Sequence, residues 1–174
     1  MVSFFHNVID FLNQEKIPYM LTGSMAMAVY TVGRSTQDFD FVVELEGEDI
    51  PKLVTHFSKG FYCNEDSIKD AIRRKSMFNI IEHSSGFKAD FIILKGSDYQ
   101  QTAFDRRSQV PLLETQAFVI SGEDLILSKL IWMQQSESGR QKEDIALVSK
   151  NPDLDWTYIR YWRNRLELRT FDLF

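Results

Sequence analysis

The chain has 174 residues, of which 44% are hydrophobic and 13% aromatic, and this size and composition suit one globular domain. Fourteen phenylalanines exclude a disordered chain, because disordered chains are poor in aromatic residues. A net charge of -5 excludes a chain-wide positive field for nucleic acid, and the lone Cys63 excludes an internal disulfide. No run of about 18 uncharged apolar residues occurs, and residues 1–7 lack a basic secretory signal, so we expect a cytoplasmic protein with no membrane partner.

The beginning of the chain predicts a helix, a strand, a turn and a second helix. Apolar residues recur at helical spacing over residues 5–15, and Pro18 ends that pattern. Residues 17–21 form an apolar run that is typical of a short buried strand. Thr22-Gly23-Ser24 interrupts the run, and Ser24 is a suitable N-cap for a helix over residues 25–30.

The remainder of the chain predicts strands and helices in turn up to residue 120 and helices alone afterwards. Further strands are expected at 38–43, 77–82, 87–94, 110–113 and 117–120, with a hairpin turn at Ser84-Ser85-Gly86. Further helices are expected at 50–59, 65–75, 125–133, 144–150 and 156–168. The sequence therefore predicts a single α+β domain over residues 1–174, with a mixed sheet in 1–120 and a helical segment, 121–174, packed on it.

Three acidic residues occupy the starts of two predicted strands. Asp38 and Asp40 are two apart, so both leave one face of a strand with Cα atoms roughly 6.6 Å apart. Asp90 has the corresponding place in the strand over 87–94. If those strands are neighbours, three hard oxygen ligands meet, and such ligands suit Mg²⁺ or Mn²⁺. Taken alone, an Asp-x-Asp pair at a strand end is more often a solvated strand terminus than a metal site.

The order of these motifs resembles the signature of the DNA polymerase β-like nucleotidyltransferase superfamily. Leu21-Thr22-Gly23-Ser24 is followed by Arg34-Ser35-Thr36-Gln37-Asp38-Phe39-Asp40 and then by a strand that carries Asp90. The Arg-x-Thr-x-Asp-x-Asp form looks like the branch that includes abortive-infection toxins, and residues 122–145 are similar to the helical segment of those proteins. The chain departs from the smallest superfamily members at Met25-Ala26-Met27-Ala28, where they carry an arginine.

The resemblance implies a nucleotidyltransferase fold and a Mg²⁺- or Mn²⁺-dependent transfer of a nucleoside monophosphate from a nucleoside triphosphate to a hydroxyl of a protein, an RNA or a small molecule. It implies that the metal ligands are Asp38, Asp40 and Asp90, of which Asp90 also helps to deprotonate the acceptor. It implies that the triphosphate contacts are Gly23, Ser24, Arg34, Lys129 and Arg140. The alternative is a non-catalytic module of the same fold that binds a nucleotide or a protein partner, for example within a toxin–antitoxin pair.

A basic and aromatic stretch lies near the end of the chain. Its arginines and aromatic residues are Arg160, Arg163, Arg165, Arg169, Trp156, Tyr158, Tyr161 and Trp162. The composition is compatible with an RNA contact, whereas the helical spacing of Ile159, Trp162 and Leu166 favours a helix docked on the domain. No P-loop, dinucleotide-binding or serine-hydrolase motif occurs in the sequence.

Overall fold

The structure is a computed structural model that describes residues 1–32 and 36–174. Arg34, which the sequence predicts as a phosphate contact, lies outside the described residues. Within them, seven strands form one sheet in the order β3-β4-β5-β2-β1-β7-β6. The strands are β1 (Tyr19–Thr22), β2 (Asp38–Val43), β3 (Phe61–Tyr62), β4 (Met77–Glu82), β5 (Lys88–Ile93), β6 (Ser108–Leu112) and β7 (Thr115–Val119).

Eight α-helices accompany the sheet in this described part of the chain. They are α1 (Val2–Gln14), α2 (Gly23–Ala26), α3 (Ile50–His56), α4 (Glu65–Arg74), α5 (Asp98–Asp105), α6 (Gly122–Met133), α7 (Gly139–Val148) and α8 (Trp156–Arg165). The predicted α+β class with a mixed sheet and a helical C-terminal third is confirmed. No described helix combines the length and the apolar character that crossing a membrane requires.

The three central strands bring the motif residues to one edge of the sheet. Strand β2 pairs antiparallel with β1, so that Thr22 lies opposite Asp40, and parallel with β5, so that Asp40 lies opposite Asp90. The C-terminal end of β1 therefore meets the N-terminal ends of β2 and β5. Helix α2 begins directly after β1 at the same place.

The opposite face of these strands is an aromatic core. Phe39 and Phe41 alternate with the acidic residues of β2 and are completely buried, as is Phe91 of β5. Phe41 and Phe91 stack with ring centroids 5.7 Å apart, and Phe5 of α1 lies 5.2 Å from Phe39. The alternation of aromatic and acidic residues along β2 thus directs one set of side chains into the core and leaves the other on the free face.

A buried carboxylate joins the helices on that free face. Asp124 of α6 is fully buried and accepts hydrogen bonds from Ser121 Oγ (2.7 Å), Arg106 Nε (3.1 Å) and Tyr158 Oη (2.8 Å). Arg106 follows α5 and Tyr158 belongs to α8, so three helices meet at one charge. Burial and Asp124 both raise the pKa of Tyr158, which keeps its hydroxyl a donor.

Several elements differ from the sequence-based expectation. Helix α5 and the short strand β3 were not predicted, because neither carries a clear apolar period. Helix α7 begins at Gly139, where Ser138 caps it by accepting from the Gln141 N–H, and not at residue 144. Helix α2 has Thr22 and not Ser24 at its N-cap position.

Candidate active site

The predicted carboxylates come together on the free face of the sheet. In the β2–β5 ladder, Asp38 lies opposite Lys88 and Asp40 lies opposite Asp90, and residues opposite each other project from the same face. Asp90 is buried, Asp40 is half-buried, and the Asp38 side chain is 53% exposed. Solvent access to the three carboxylates therefore decreases from Asp38 through Asp40 to Asp90.

The turn after β1 contacts this group directly. Gly23 has a φ of +66°, a left-handed conformation in which glycine carries no steric penalty. A Cβ atom at this position would overlap Asp40 Oδ2 and would lie 2.7 Å from Asp40 Cγ. The turn and the carboxylates therefore form one site, and only glycine satisfies both its backbone conformation and its space.

Burial and charge act together on Asp40. Burial, followed by repulsion from Asp90 and Asp38, raises its pKa from 3.8 to about 6, against the opposing effect of Lys88 and Lys129. An acid whose charged form is disfavoured in this way gains from any nearby cation. Additional positive charge near Asp40 would therefore favour its ionised form.

Lys88 provides part of the positive charge next to the three carboxylates. The sequence analysis did not include this lysine in the site. Its Nζ lies 2.8 Å from Asp90 Oδ2 and 3.7 Å from Asp38 Oδ1. The ion pair raises the pKa of Lys88, chiefly through its hydrogen bond to Asp90. The signal was present in the sequence, because Lys88 and Asp90 are two apart on one strand and must share a face.

The donor set fits a hard divalent cation. Asp90 Oδ1 is buried and has no hydrogen-bond partner among the described residues, which is costly unless a ligand or an ion meets it. Carboxylate oxygens are the ligands that Mg²⁺ and Mn²⁺ prefer. Among residues 1–32 and 36–174, no three acidic, histidine or cysteine side chains are grouped so that they could hold a metal ion as they stand. Lys88 occupies Asp90 Oδ2 and leaves Asp90 Oδ1 as the oxygen that an added ion could use, and the three carboxylates would have to move closer together around that ion.

Lys129 borders the same site from helix α6. It is 5% exposed, and its Nζ donates to Gln141 Oε1 (2.9 Å) and Asp144 Oδ2 (2.8 Å). A cavity of ≈ 230 Å³ lies between this lysine, the Gly23 turn and Asp40. The lining residues of this phosphate-side cavity are Thr22, Gly23, Asp40, Ile92, Ser128, Lys129, Trp132 and Gln141.

The remaining predicted contacts have different outcomes. Ser24 is half-buried in α2, beside Gly23. Arg140 is exposed at the start of α7 and does not line the phosphate-side cavity, although its neighbour Gln141 does. Asp144 is a buried partner of Lys129, and the sequence analysis assigned it no role, because spacing along the chain does not show which helices pack together.

A second cavity of ≈ 270 Å³ lies next to the first, between the sheet and helices α5 and α6. We call it the apolar cavity, since most of its walls are hydrocarbon. Its lining residues are Met20, Thr22, Val42, Ile92, Leu94, Tyr99, Gln100, Ala103, Ile120, Ser128, Ile131, Trp132 and Gln135. It shares Thr22, Ile92, Ser128 and Trp132 with the phosphate-side cavity, so the two are adjacent.

Comparison of the sequence with protein-family models and with curated proteins gives no match. Solved structures do match the fold. The crystal structure of ANT(2'')-Ia in complex with adenylyl-2''-tobramycin has a TM-score of 0.66 and 14% identity, and the match covers 95% of this chain and 96% of that one. The solution structure of the antibiotic-resistance factor ANT(2'')-Ia has a TM-score of 0.66 and 12% identity, with coverage of 95% and 90%.

Two further structures agree with this result. The lincomycin-bound lincosamide antibiotic adenylyltransferase LnuA has a TM-score of 0.52 and 15% identity, with coverage of 85% of this chain and 94% of that one. An antigenic nucleotidyltransferase-like protein from Paracoccidioides brasiliensis has a TM-score of 0.54 and 15% identity, with coverage of 95% and 86%. At such low identity the likeness shows the fold, and the nucleotidyltransferase fold expected from the sequence is confirmed.

Proposed function

We propose that this chain is a nucleotidyltransferase that moves a nucleoside monophosphate from a nucleoside triphosphate to a hydroxyl group of an acceptor. The observation that carries the proposal is the β2–β5 register, which places Asp40 opposite Asp90 directly beside the Gly23 turn. The fold shared with antibiotic-modifying nucleotidyltransferases supports it. We propose further that residues 1–120 and 121–174 act as one domain in this reaction.

The carboxylates would hold Mg²⁺ or Mn²⁺. Asp38, Asp40 and Asp90 supply the oxygen ligands, and the buried Asp90 Oδ1 offers an acceptor that no described residue already uses. A bound divalent ion supplies charge neutralisation at the reacting phosphate. The ion also relieves the repulsion that raises the pKa of Asp40.

The protein's own groups then position the substrates. The Gly23 turn lets backbone approach a phosphate closely, and Lys129, oriented by Asp144, provides positive charge for the departing pyrophosphate. Asp90 takes the proton of the acceptor hydroxyl as that oxygen bonds to the α-phosphorus and the bond to pyrophosphate breaks. Asp38 lies on the solvent side of the group, where an acceptor has access.

A transfer assay tests the proposal. The full chain is incubated with α-³²P-labelled ATP, GTP, CTP or UTP, MgCl₂ and, in parallel, tobramycin, lincomycin, total RNA or no addition. Label on any of these acceptors or on the chain itself, lost in Asp40→Asn and Asp90→Asn and retained in the surface control Asp153→Asn, supports the proposal. Label that persists in both site variants refutes it.

A second candidate function follows from Lys88. Because its ammonium already lies 2.8 Å from Asp90 Oδ2, the carboxylates have a cation without any metal, as expected for a non-catalytic module that binds a nucleotide or a protein partner. Such a module would suit a component of a toxin–antitoxin pair. Calorimetry separates the candidates, since nucleotide affinity independent of Mg²⁺ and without turnover supports the module, and a strict Mg²⁺ requirement supports the enzyme.

A further inference from the structure

The apolar cavity has a definite relation to the proposed triphosphate site. Trp132 lies three residues after Lys129 on α6, so the two side chains occupy one face of that helix. The tryptophan lines both cavities, and the lysine lines only the phosphate-side cavity. A ligand that places phosphates against Lys129 therefore has Trp132 beside it, at the mouth of the apolar cavity.

The size and lining of the apolar cavity suit one uncharged ring system. Pockets for whole drug-sized ligands are about 300–1,000 Å³, so ≈ 270 Å³ accommodates a part of a ligand whose remainder lies outside. Met20, Val42 and Ile92 form an apolar floor, and no lining residue carries a charge. Gln100 Oε1 accepts a hydrogen bond from the Lys95 N–H, so the side-chain NH₂ group is the part of Gln100 that can donate to another partner.

The Trp132 indole is the element that a planar base would contact. It is 51% exposed although it borders two cavities, so a large part of its aromatic surface is available for stacking. Bases stack on aromatic side chains with little dependence on sequence, because every base has a π-face. An exposed tryptophan at the junction of a charged and an apolar cavity matches the two ends of a nucleotide.

We infer that the apolar cavity is the nucleobase subsite, with the base stacked on Trp132. The inference rests on the proposed function, since the triphosphate must occupy the phosphate-side cavity. One nucleotide would span the two adjacent cavities along Trp132, which lines both, whereas an acceptor is a separate molecule and retains the open approach past Asp38. Asp38, the exposed carboxylate, lines neither cavity, so a nucleotide in the two cavities leaves the side of Asp38 open to the acceptor.

The test compares a nucleotide with its phosphates alone. Calorimetry with the full chain and MgCl₂ uses the α,β-methylene analogues of ATP, GTP, CTP and UTP and, separately, inorganic tripolyphosphate. We expect Trp132→Ala to weaken the best-bound analogue roughly 5- to 150-fold, the loss of one base–aromatic stack, and to leave tripolyphosphate affinity unchanged. Trp132→Phe should restore most of the affinity. Trp156 contacts Phe174 and lines neither cavity, so Trp156→Ala should change neither affinity.

Fluorescence gives a second readout. The nucleotide analogues should quench emission from Trp132, and tripolyphosphate should not, with the difference lost in Trp132→Phe. Equal nucleotide affinities of the wild type and Trp132→Ala overturn the subsite and leave the proposed function standing. A parallel loss of tripolyphosphate affinity in Trp132→Ala also overturns the subsite, because the residue would then support the phosphate-side cavity. Failure of the wild type to bind either probe removes the proposed function and the subsite with it.

Discussion

Replacement of Asp40 by asparagine should make the protein more stable and abolish transfer. The pKa of Asp40 is raised from 3.8 in an exposed carboxyl to about 6 in the folded chain. Between those two values the folded state binds more protons than the unfolded state, so the free energy of unfolding falls as the pH rises through this window. Above pH 6 the carboxylate is charged in both states, and the full cost of burying it is present.

The size of the effect follows from the same two values. The difference between 3.8 and about 6 corresponds to about 3 kcal/mol at 1.36 kcal/mol per pKa unit. An asparagine keeps the shape and removes the charge, but its amide still loses hydration, so we expect a gain of about 2 kcal/mol at pH 8. At pH 3.5 the carboxyl is protonated in the folded state and mostly protonated in the unfolded state, so most of the gain should be lost.

Urea denaturation from pH 3.5 to 8 measures this difference. Wild type, Asp40→Asn and the surface control Asp153→Asn are compared, each without metal and with MgCl₂. The control should follow the wild type at every pH. If Asp40→Asn is no more stable than the wild type at pH 8, or if its advantage does not shrink toward low pH, the assignment of electrostatic cost to Asp40 is wrong.

Two other substitutions, Gly23→Ala and Lys88→Met, test the surroundings of that carboxylate, and Gly60→Ala serves as the reference for the first. Gly60→Ala, at a φ of +83° with open space around it, should lower the free energy of unfolding by about 1–2 kcal/mol through backbone strain alone, and Gly23→Ala should exceed this by at least about 1 kcal/mol because its methyl group meets Asp40. Similar losses in urea titrations of the two variants would contradict the close contact. Lys88→Met should cost about 1–2 kcal/mol in metal-free buffer at pH 8, since it removes a cation from a partly buried acidic group, and MgCl₂ should restore more stability to this variant than to the wild type. An equal Mg²⁺ increment in both proteins would show that the ammonium and the metal do not share a place.

The carboxylate geometry was predictable from the sequence because strand periodicity is simple. Asp38 and Asp40 had to share a face, and an acidic residue at the start of an apolar strand gave Asp90 the matching position. The pairing of β2 with β5 needed the fold, since spacing alone does not determine which strands are neighbours. The resemblance to nucleotidyltransferases supplied that missing step.

Other parts of the site depended on information that local patterns do not contain. Helix α5 was missed because Asp98–Asp105 buries only Tyr99, Ala103 and Phe104, which is too few for a clear amphipathic period. The Ser97 cap, which accepts from the Gln100 N–H, was the available local signal. Helix α5 forms one wall of the apolar cavity, so a sequence analysis that missed this helix could not predict the cavity or the proposed base-stacking role of Trp132.

The hydrogen bonds to Asp124 also bear on how the helices around the apolar cavity respond to a ligand. A single buried charge holds the end of α5, the start of α6 and the face of α8, and removing any of its partners leaves a desolvated carboxylate underbonded. We therefore expect these three helices to move together and not separately when a ligand binds. In the proposed enzyme, a change of substrate range should then depend more on the side chains that line the two cavities than on the loops.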